Sequence, residues 1–217
     1  MTPDDIALIV KTYSDRLGKY GDSPRTLGWD KDRVRLRLEV LCSRWDLRGA
    51  SVLDFGCGFG DLWGLLTVKA VAGVRYIGVD INPALLEVAR RRYPRGEFRT
   101  LNLLEKSLGE RVDYVFASGV FNDRIGDNRA FTARSFEVFN ELARRGFAAN
   151  FLSGMAQVQY PHAHYTEPAE ALNLCYRYSK NVVLRNDYMP FEFAVFVDTS
   201  ARFDPDLAVY EDYLGLV

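Results

Sequence analysis

Three glycines at alternate positions, Gly56, Gly58 and Gly60, follow the short apolar run Val52-Leu53-Asp54-Phe55 and precede a helical pattern that begins near Leu62. Glycines there let the backbone turn tightly and approach a ligand, and the next helix N-terminus directs free N–H groups and its positive dipole end into the same crevice. Two carboxylates frame the turn. Asp54 stands two residues before the first glycine, and Asp80, 20 residues after Gly60, ends the next apolar run. A carboxylate one strand over is placed to accept hydrogen bonds from a ribose diol. A pyrophosphate at this turn would meet like charge from Asp54, whereas a ligand carrying an ammonium or sulfonium would meet an opposite one. The spacing Gly56-x-Gly58-x-Gly60-Asp61 also differs from G-x-G-x-x-G, and no Lys-Ser or Lys-Thr follows as in a triphosphate loop.

Other reactive residues have plainer readings. Cys42, Cys57 and Cys175 are an odd number with no close pair, which fits reduced thiols better than a disulfide framework. Cys57, with no histidine near it in sequence, reads as a small buried filler. His162-Ala163-His164 has the look of a metal pair but lacks a clustered third ligand, so no metal is expected. His164 and Tyr165 are instead the candidates for a catalytic base or a substrate contact, against the alternative of a surface loop. Arg90-Arg91-Arg92 sits where a helix ends and suits a solvated face. Phe131, Phe136 and Phe139 have helical spacing and read as core.

Regular elements must hold these residues in place. Residues 3–20 place Ile6, Ile9, Tyr13, Leu17 and Tyr20 on one helical face, and a second helix is expected over residues 30–45. Residue 51 begins an alternation: strand 51–55, helix from Leu62, strand 74–80, helix after Asn82-Pro83, strand 97–101, strand 112–117, helix 128–145 and strand 147–152. Strands alternating with helices imply right-handed crossovers and a mainly parallel sheet covered on both faces. After a helix near residues 167–178, the runs 181–185 and 191–198 are separated by five residues, too few for a crossover helix, so the sheet should finish with an antiparallel strand. The tail from Ala201 shows no clear period.

With these residues in view, the chain resembles the class I S-adenosylmethionine (SAM)-dependent methyltransferases. The likeness runs through residues 52–62, through Tyr76-Ile77-Gly78-Val79-Asp80-Ile81-Asn82-Pro83 and through residues 113–122, and covers roughly residues 29–198. It implies an α/β fold, a Rossmann-like seven-stranded, mostly parallel sheet with an antiparallel C-terminal strand that family members place at the sheet edge. It also implies SAM as methyl donor, leaving S-adenosylhomocysteine. Carried onto this chain, it puts Asp54, Gly56, Cys57, Gly58 and Gly60 around the methionine part, Asp80 on the ribose, and Ile81, Asn102 and Leu103 at the adenine. Asn102 stands where many relatives have Asp, and can still accept through its carbonyl oxygen. Ser118 and Gly119 would border the methyl group, Arg37 would pair with the SAM carboxylate, and Tyr20 and Trp29 would cover the site. Tyr20, Phe121, Asn122, Asn150, Asp187 and Tyr188 would shape the acceptor pocket. An NAD-dependent dehydrogenase is disfavoured by Asp54 and the terminal hairpin, and a non-catalytic SAM-binding module stays open. An Asn-Pro-Pro-Tyr type motif for flipped bases is absent after strand four, where Ala117-Ser118-Gly119-Val120 stands.

The 217 residues suit one domain, with residues 51–198 as the SAM-binding core and residues 1–46 as a helical lid. Twenty-eight Lys and Arg against 29 Asp and Glu give a formal charge of -1, which argues against a phosphate-backbone binder. No apolar run nears the roughly 18 residues that span a bilayer. The expectation is a cytoplasmic enzyme with a small-molecule acceptor, methylated at O or N, without nucleic-acid or membrane partners.

Overall fold

The computed structural model describes residues 1–29 and 31–216, with the side chains of residues 31 and 32 outside that description. Seven strands form one sheet: β1 (Ser51–Phe55), β2 (Arg75–Asp80), β3 (Glu97–Thr100), β4 (Val112–Ala117), β5 (Ala143–Leu152), β6 (Asn181–Arg185) and β7 (Glu192–Asp198). Their order is β3-β2-β1-β4-β5-β7-β6. β1 pairs in parallel with both β2 and β4. The chain therefore winds outward from β1 to β3, then returns to the other side of β1. That reversal opens a crevice beyond the carboxyl ends of β1 and β4, where such sheets bind ligands.

Neighbouring residues along a strand enter different cores. Val52, Ala148 and Phe196 join the side chains of α2 (Lys31–Leu41), α3 (Asp61–Val68) and α4 (Pro83–Arg92), whereas Leu53, Phe147 and Val195 join those of α5 (Asn128–Leu142) and α6 (Pro168–Cys175). Period-two alternation thus fills both faces of the sheet. Phe131, Phe136 and Phe139 are buried as expected, within an aromatic cluster that includes Phe147 and Phe151. Each such ring contributes about 1.5–3 kcal/mol on leaving water.

Three features depart from the sequence reading. The antiparallel strand β7 does not lie at the sheet edge but between β5 and β6, pairing antiparallel with both. Its residues are all buried, whereas β6 is mostly half-exposed, so the more apolar run takes the interior position. α5 stops at Leu142 and β5 begins at once with Ala143, which pairs with Val112 before the register shifts to Tyr114 and Gly146. The tail forms a two-stranded ribbon, β8 (Phe203–Asp204) with β9 (Val209–Tyr210), then a 3-10 helix Glu211–Leu216. Among the described residues no helix is long and apolar enough to cross a membrane.

The N-terminal helix α1 (Pro3–Tyr20) is capped by Thr2 and Asp5 in a reciprocal capping box. It lies across the carboxyl end of the sheet on three attachments. Asp5 accepts from the Gly126 N–H at 2.9 Å, the Tyr13 hydroxyl donates to Asp123 at 2.7 Å, and Asn82 donates to the Val10 carbonyl at 3.1 Å. The arginine run is not simply solvated: Arg92 bridges Asp61 at 2.8 Å and also binds Asp22, and Arg90 donates to the Phe98 carbonyl.

Candidate active site

β1 ends at Phe55 and the chain turns through Gly56, Cys57 and Gly58 into α3. At Gly56 φ is 71°, and a Cβ would lie 2.6 Å from Cγ2 of Val120, so both backbone and space require glycine. The turn is tied to β2. Gly56 and Cys57 donate to the Val79 carbonyl at 2.8 and 2.9 Å, and Gly58 donates to Oδ2 of Asp80 at 2.9 Å. The other oxygen of Asp80 accepts from the Asn82 N–H at 2.8 Å. Asp80 therefore shapes the loop as well as facing the crevice, and each oxygen keeps a lone pair for a hydroxyl. Burial raises its carboxyl above the usual range.

Asp54 is the most perturbed acid of the site. It is 3% exposed and accepts one hydrogen bond, from the Tyr76 hydroxyl at 2.8 Å. Burial pushes its carboxyl up to about 7 against the Tyr76 hydrogen bond, with the charges of Asp80 and Asp61 adding to the rise. Cys57 is buried beside it, and that burial raises its thiol well above the ordinary value, which leaves it inert.

These residues line an inner cavity under α1, together with Trp29, Arg37, Ile81, Asn102, Leu103, Ser118 and Gly119. Asn102 uses its side-chain oxygen to accept from the Leu104 N–H at 3.1 Å, so part of its acceptor capacity is spent on its own turn. Gly60 starts α3 as its cap, also at positive φ, and lies outside the lining. Arg37 is engaged from below. Its Nε donates to Oε1 of Glu192 at 3.0 Å, its Nη2 lies 2.6 Å from Oε2, and its guanidinium packs 3.4 Å from the centre of the Trp29 ring. The Tyr188 hydroxyl donates to the same Glu192 at 2.9 Å. What reaches the cavity is thus a charge already compensated.

A second, outer cavity of about 1000 Å3 lies between α1, the segment that follows it and the 153–166 loop. Tyr13, Leu27, Trp29, Gly119 and Asp123 line both cavities. Tyr20, Asn122 and Tyr165 line the outer one. Other candidates do not. Phe121 is 1% exposed and stacks on Phe151, so it is core. Asn150 is fully buried and accepts from the Gly119 N–H at 2.7 Å, bracing the end of β4 from behind. Asp187 pairs with Arg185 on the surface, and Tyr188 serves Glu192. His164 is held by its N–H to the Asn122 carbonyl at 2.8 Å, and its imidazole is pushed down by burial and by Arg124. It is His162 that lines the cavity.

Several partners were hidden from sequence reasoning. Tyr76 looked like an ordinary strand residue, and Tyr13 like part of an apolar helical face. Glu192 did leave a signal, as a lone carboxylate at the head of a run of apolar residues that is buried throughout. Among the described residues no three His, Cys, Asp or Glu side chains group as a metal set.

A doubly wound sheet with a glycine turn and three aspartates at its switch point defines a site for a nucleoside ligand bearing positive charge. The residues fit SAM: the glycine cradle admits no Cβ at Gly56, and the buried acids suit an ammonium and a sulfonium. The methyltransferase domain family matches residues 52–144. Rv1506c of Mycobacterium tuberculosis, which carries a methyltransferase's name, is 31% identical over 154 residues, 68% of this chain and 92% of that protein. The demethylmenaquinone methyltransferase of Symbiobacterium thermophilum is 36% identical over 121 residues, 56% of this chain and 47% of its own length. In fold, the chain is similar to the magnesium protoporphyrin IX methyltransferase of Synechocystis PCC 6803, crystallised with SAM. The TM-score is 0.65 at 18% identity, over 92% of this chain and 99% of the other. The chain belongs to the class I SAM-dependent methyltransferases.

Proposed function

We propose that this enzyme transfers the methyl group to an oxygen or nitrogen atom of a small-molecule acceptor seated in the outer cavity. The observation that carries this reading is the shared wall, Trp29, Gly119 and Asp123, through which the outer cavity meets the inner one. Two of the similar enzymes are named for small molecules, demethylmenaquinone and magnesium protoporphyrin IX.

When bound, SAM supplies a methyl group activated by a positive sulfur, so the protein's task is to orient the acceptor and exclude water. Asp54 would meet the ammonium, Gly56, Gly58 and Ser118 would line the methionine part, Asp80 would accept from the ribose, and Ile81, Asn102 and Leu103 would flank the adenine. Arg37 remains the candidate for the carboxylate. Residues 1–46 act as the lid: α1 contributes Ile9 and Tyr13 to the inner cavity, Met1 just before it adds a third side chain, and the three attachments hold α1 over it. An acceptor whose proton leaves readily needs no base; for a weaker acid, His162 and Tyr165 stand on the cavity wall.

Calorimetry with SAM, S-adenosylhomocysteine and NAD, followed by transfer of labelled methyl into small-molecule and protein fractions, tests the reading. SAM binding with label in the small-molecule fraction is the expected result. Label confined to protein would overturn it, as would NAD binding without SAM binding.

A further inference from the structure

The two cavities carry opposite charge. The inner one is lined by Asp54, Asp61, Asp80 and Asp123, with Arg37 its one cationic side chain among the described residues and that one paired to Glu192. The outer one is lined by Arg16, Arg25 and Arg33, and Asp123 is its one carboxylate among the described residues. Asp123 already accepts the Tyr13 hydroxyl. Arg16 lies over the Tyr13 ring, 5.3 Å from its centre, and neither Arg16 nor Arg25 has a carboxylate partner among the described residues. A net cationic hollow attracts an anion, and its partly apolar walls focus the field.

The outer wall also carries aromatic rings, among them Tyr20, Trp29, Tyr160, Tyr165 and Phe191. At the mouth, Met155 is 74% exposed, Val158 65% and Tyr160 59%, three large apolar side chains within six residues of one loop. Grouped exposure of this kind marks a surface that meets apolar material. Asn122, 8% exposed, accepts from the Leu152 N–H at 3.0 Å through its Oδ1, while its Nδ2 has no acceptor among the described residues. A donor left so is costly unless a ligand completes it.

We propose that the methyl acceptor is an aromatic acid: a flat apolar body held among these rings, with an anionic group gripped by Arg16 and Arg25. The two arginines line only the outer cavity, while Trp29 and Gly119 line both. The anion is therefore a handle at the far end of the acceptor, and the atom to be methylated lies at the other end. This rests on the small-molecule reading above and adds the acceptor's charge and shape.

The test uses the full chain and three matched probes: naphthalene-2-carboxylate, its neutral carboxamide and 2-naphthylmethylammonium, titrated by calorimetry with and without SAM. The carboxylate is expected to bind at least tenfold tighter than the carboxamide, with the ammonium weakest. Arg16→Gln and Arg25→Gln should each reduce carboxylate affinity about fivefold, as for a partly screened ion pair, and leave carboxamide and SAM affinities within about twofold. Added salt should weaken only the carboxylate. Equal binding of carboxylate and carboxamide, undetectable carboxylate binding, or unchanged carboxylate affinity in both variants would overturn the inference. SAM titrations in the same samples separate the two readings: loss of SAM binding strikes the methyltransferase site itself, while intact SAM binding without anion preference strikes only the acceptor class.

Discussion

Asp54 makes cofactor affinity depend on pH in a direction that can be worked out. Its carboxyl titrates at about 7 in the ligand-free protein, because burial disfavours the charged form. A bound ammonium favours the carboxylate, so binding must release a proton wherever Asp54 is still protonated. Affinity then follows the ionised fraction of the free protein, which is about 3% at about pH 5.5 and about 50% at about pH 7. SAM affinity should therefore rise about 16-fold across that interval. The window stays below the ~8 of an α-amino group, so the ligand's own ammonium remains charged throughout. Tyr76→Phe removes the one hydrogen bond that holds the Asp54 carboxyl down. It should move the whole profile to higher pH and weaken binding at pH 7, with the loss approaching about tenfold for every further pH unit the profile travels. Calorimetry in two buffers of different ionisation heat reads both the affinity and the released proton. Affinity that is flat between these pH values, or a Tyr76→Phe profile superimposed on the parent's, would refute the assignment of Asp54 to the cation.

The same acid bears on folding with the opposite sense. A carboxyl raised from 3.8 to about 7 opposes folding once it ionises, a cost absent below its unfolded value and complete above about pH 7. Asp54→Asn should thus abolish SAM binding yet raise the ligand-free melting temperature at pH 8 by several degrees, from a gain on the order of 2–4 kcal/mol; a lower melting temperature there contradicts it. Glu192→Ala leaves the Arg37 guanidinium buried without its partner and should cost about 3–5 kcal/mol in urea unfolding, whereas a loss under about 1 kcal/mol would mean that water or Tyr188 replaces the carboxylate. Gly56→Ala should reduce SAM affinity at least tenfold, and adding Val120→Ala, which removes the 2.6 Å contact but not the positive φ, should restore only part of it. Full recovery would assign the effect to crowding alone.

Local pattern made the sheet legible. The period-two runs and the glycine turn placed β1, β2 and α4 within a residue or two, and Asp54 and Asp80 stand at the ends of β1 and β2 as their spacing implied. β6 matched its run from Asn181 to Arg185. The position of β7 inside the sheet was not legible, because a hairpin of β6 and β7 is the same local sequence whichever strand meets β5. Only the comparison of the two apolar contents distinguishes them, and it requires knowing which strand has a neighbour on each side. The His162 and His164 pair failed for a related reason: two residues apart in an irregular loop, they obey no period that would say which one faces the cavity.

The site's supports were illegible on different grounds, since each joins residues far apart in the chain. Arg37 meets Glu192 across 155 positions and Tyr13 meets Asp123 across 110. Glu192 alone is marked locally, as a carboxylate heading an apolar run, and nothing in the sequence near it names Arg37 as its partner; Tyr13 and Asp123 are common types in ordinary patterns. Their placement nevertheless has one logic. Arg37–Glu192 fixes Trp29 from beneath, Tyr13–Asp123 fixes α1 from the side, and Trp29, Tyr13 and Asp123 are wall residues common to both cavities. The long-range polar pairs thus converge on the partition between an acidic inner cavity and a basic outer one. A partition held by polar pairs from α1, α2 and β7 lets each cavity keep its own sign. For the anionic acceptor proposed above, that separation keeps its charge beside Arg16 and Arg25 and away from the aspartates of the inner cavity, which would repel it.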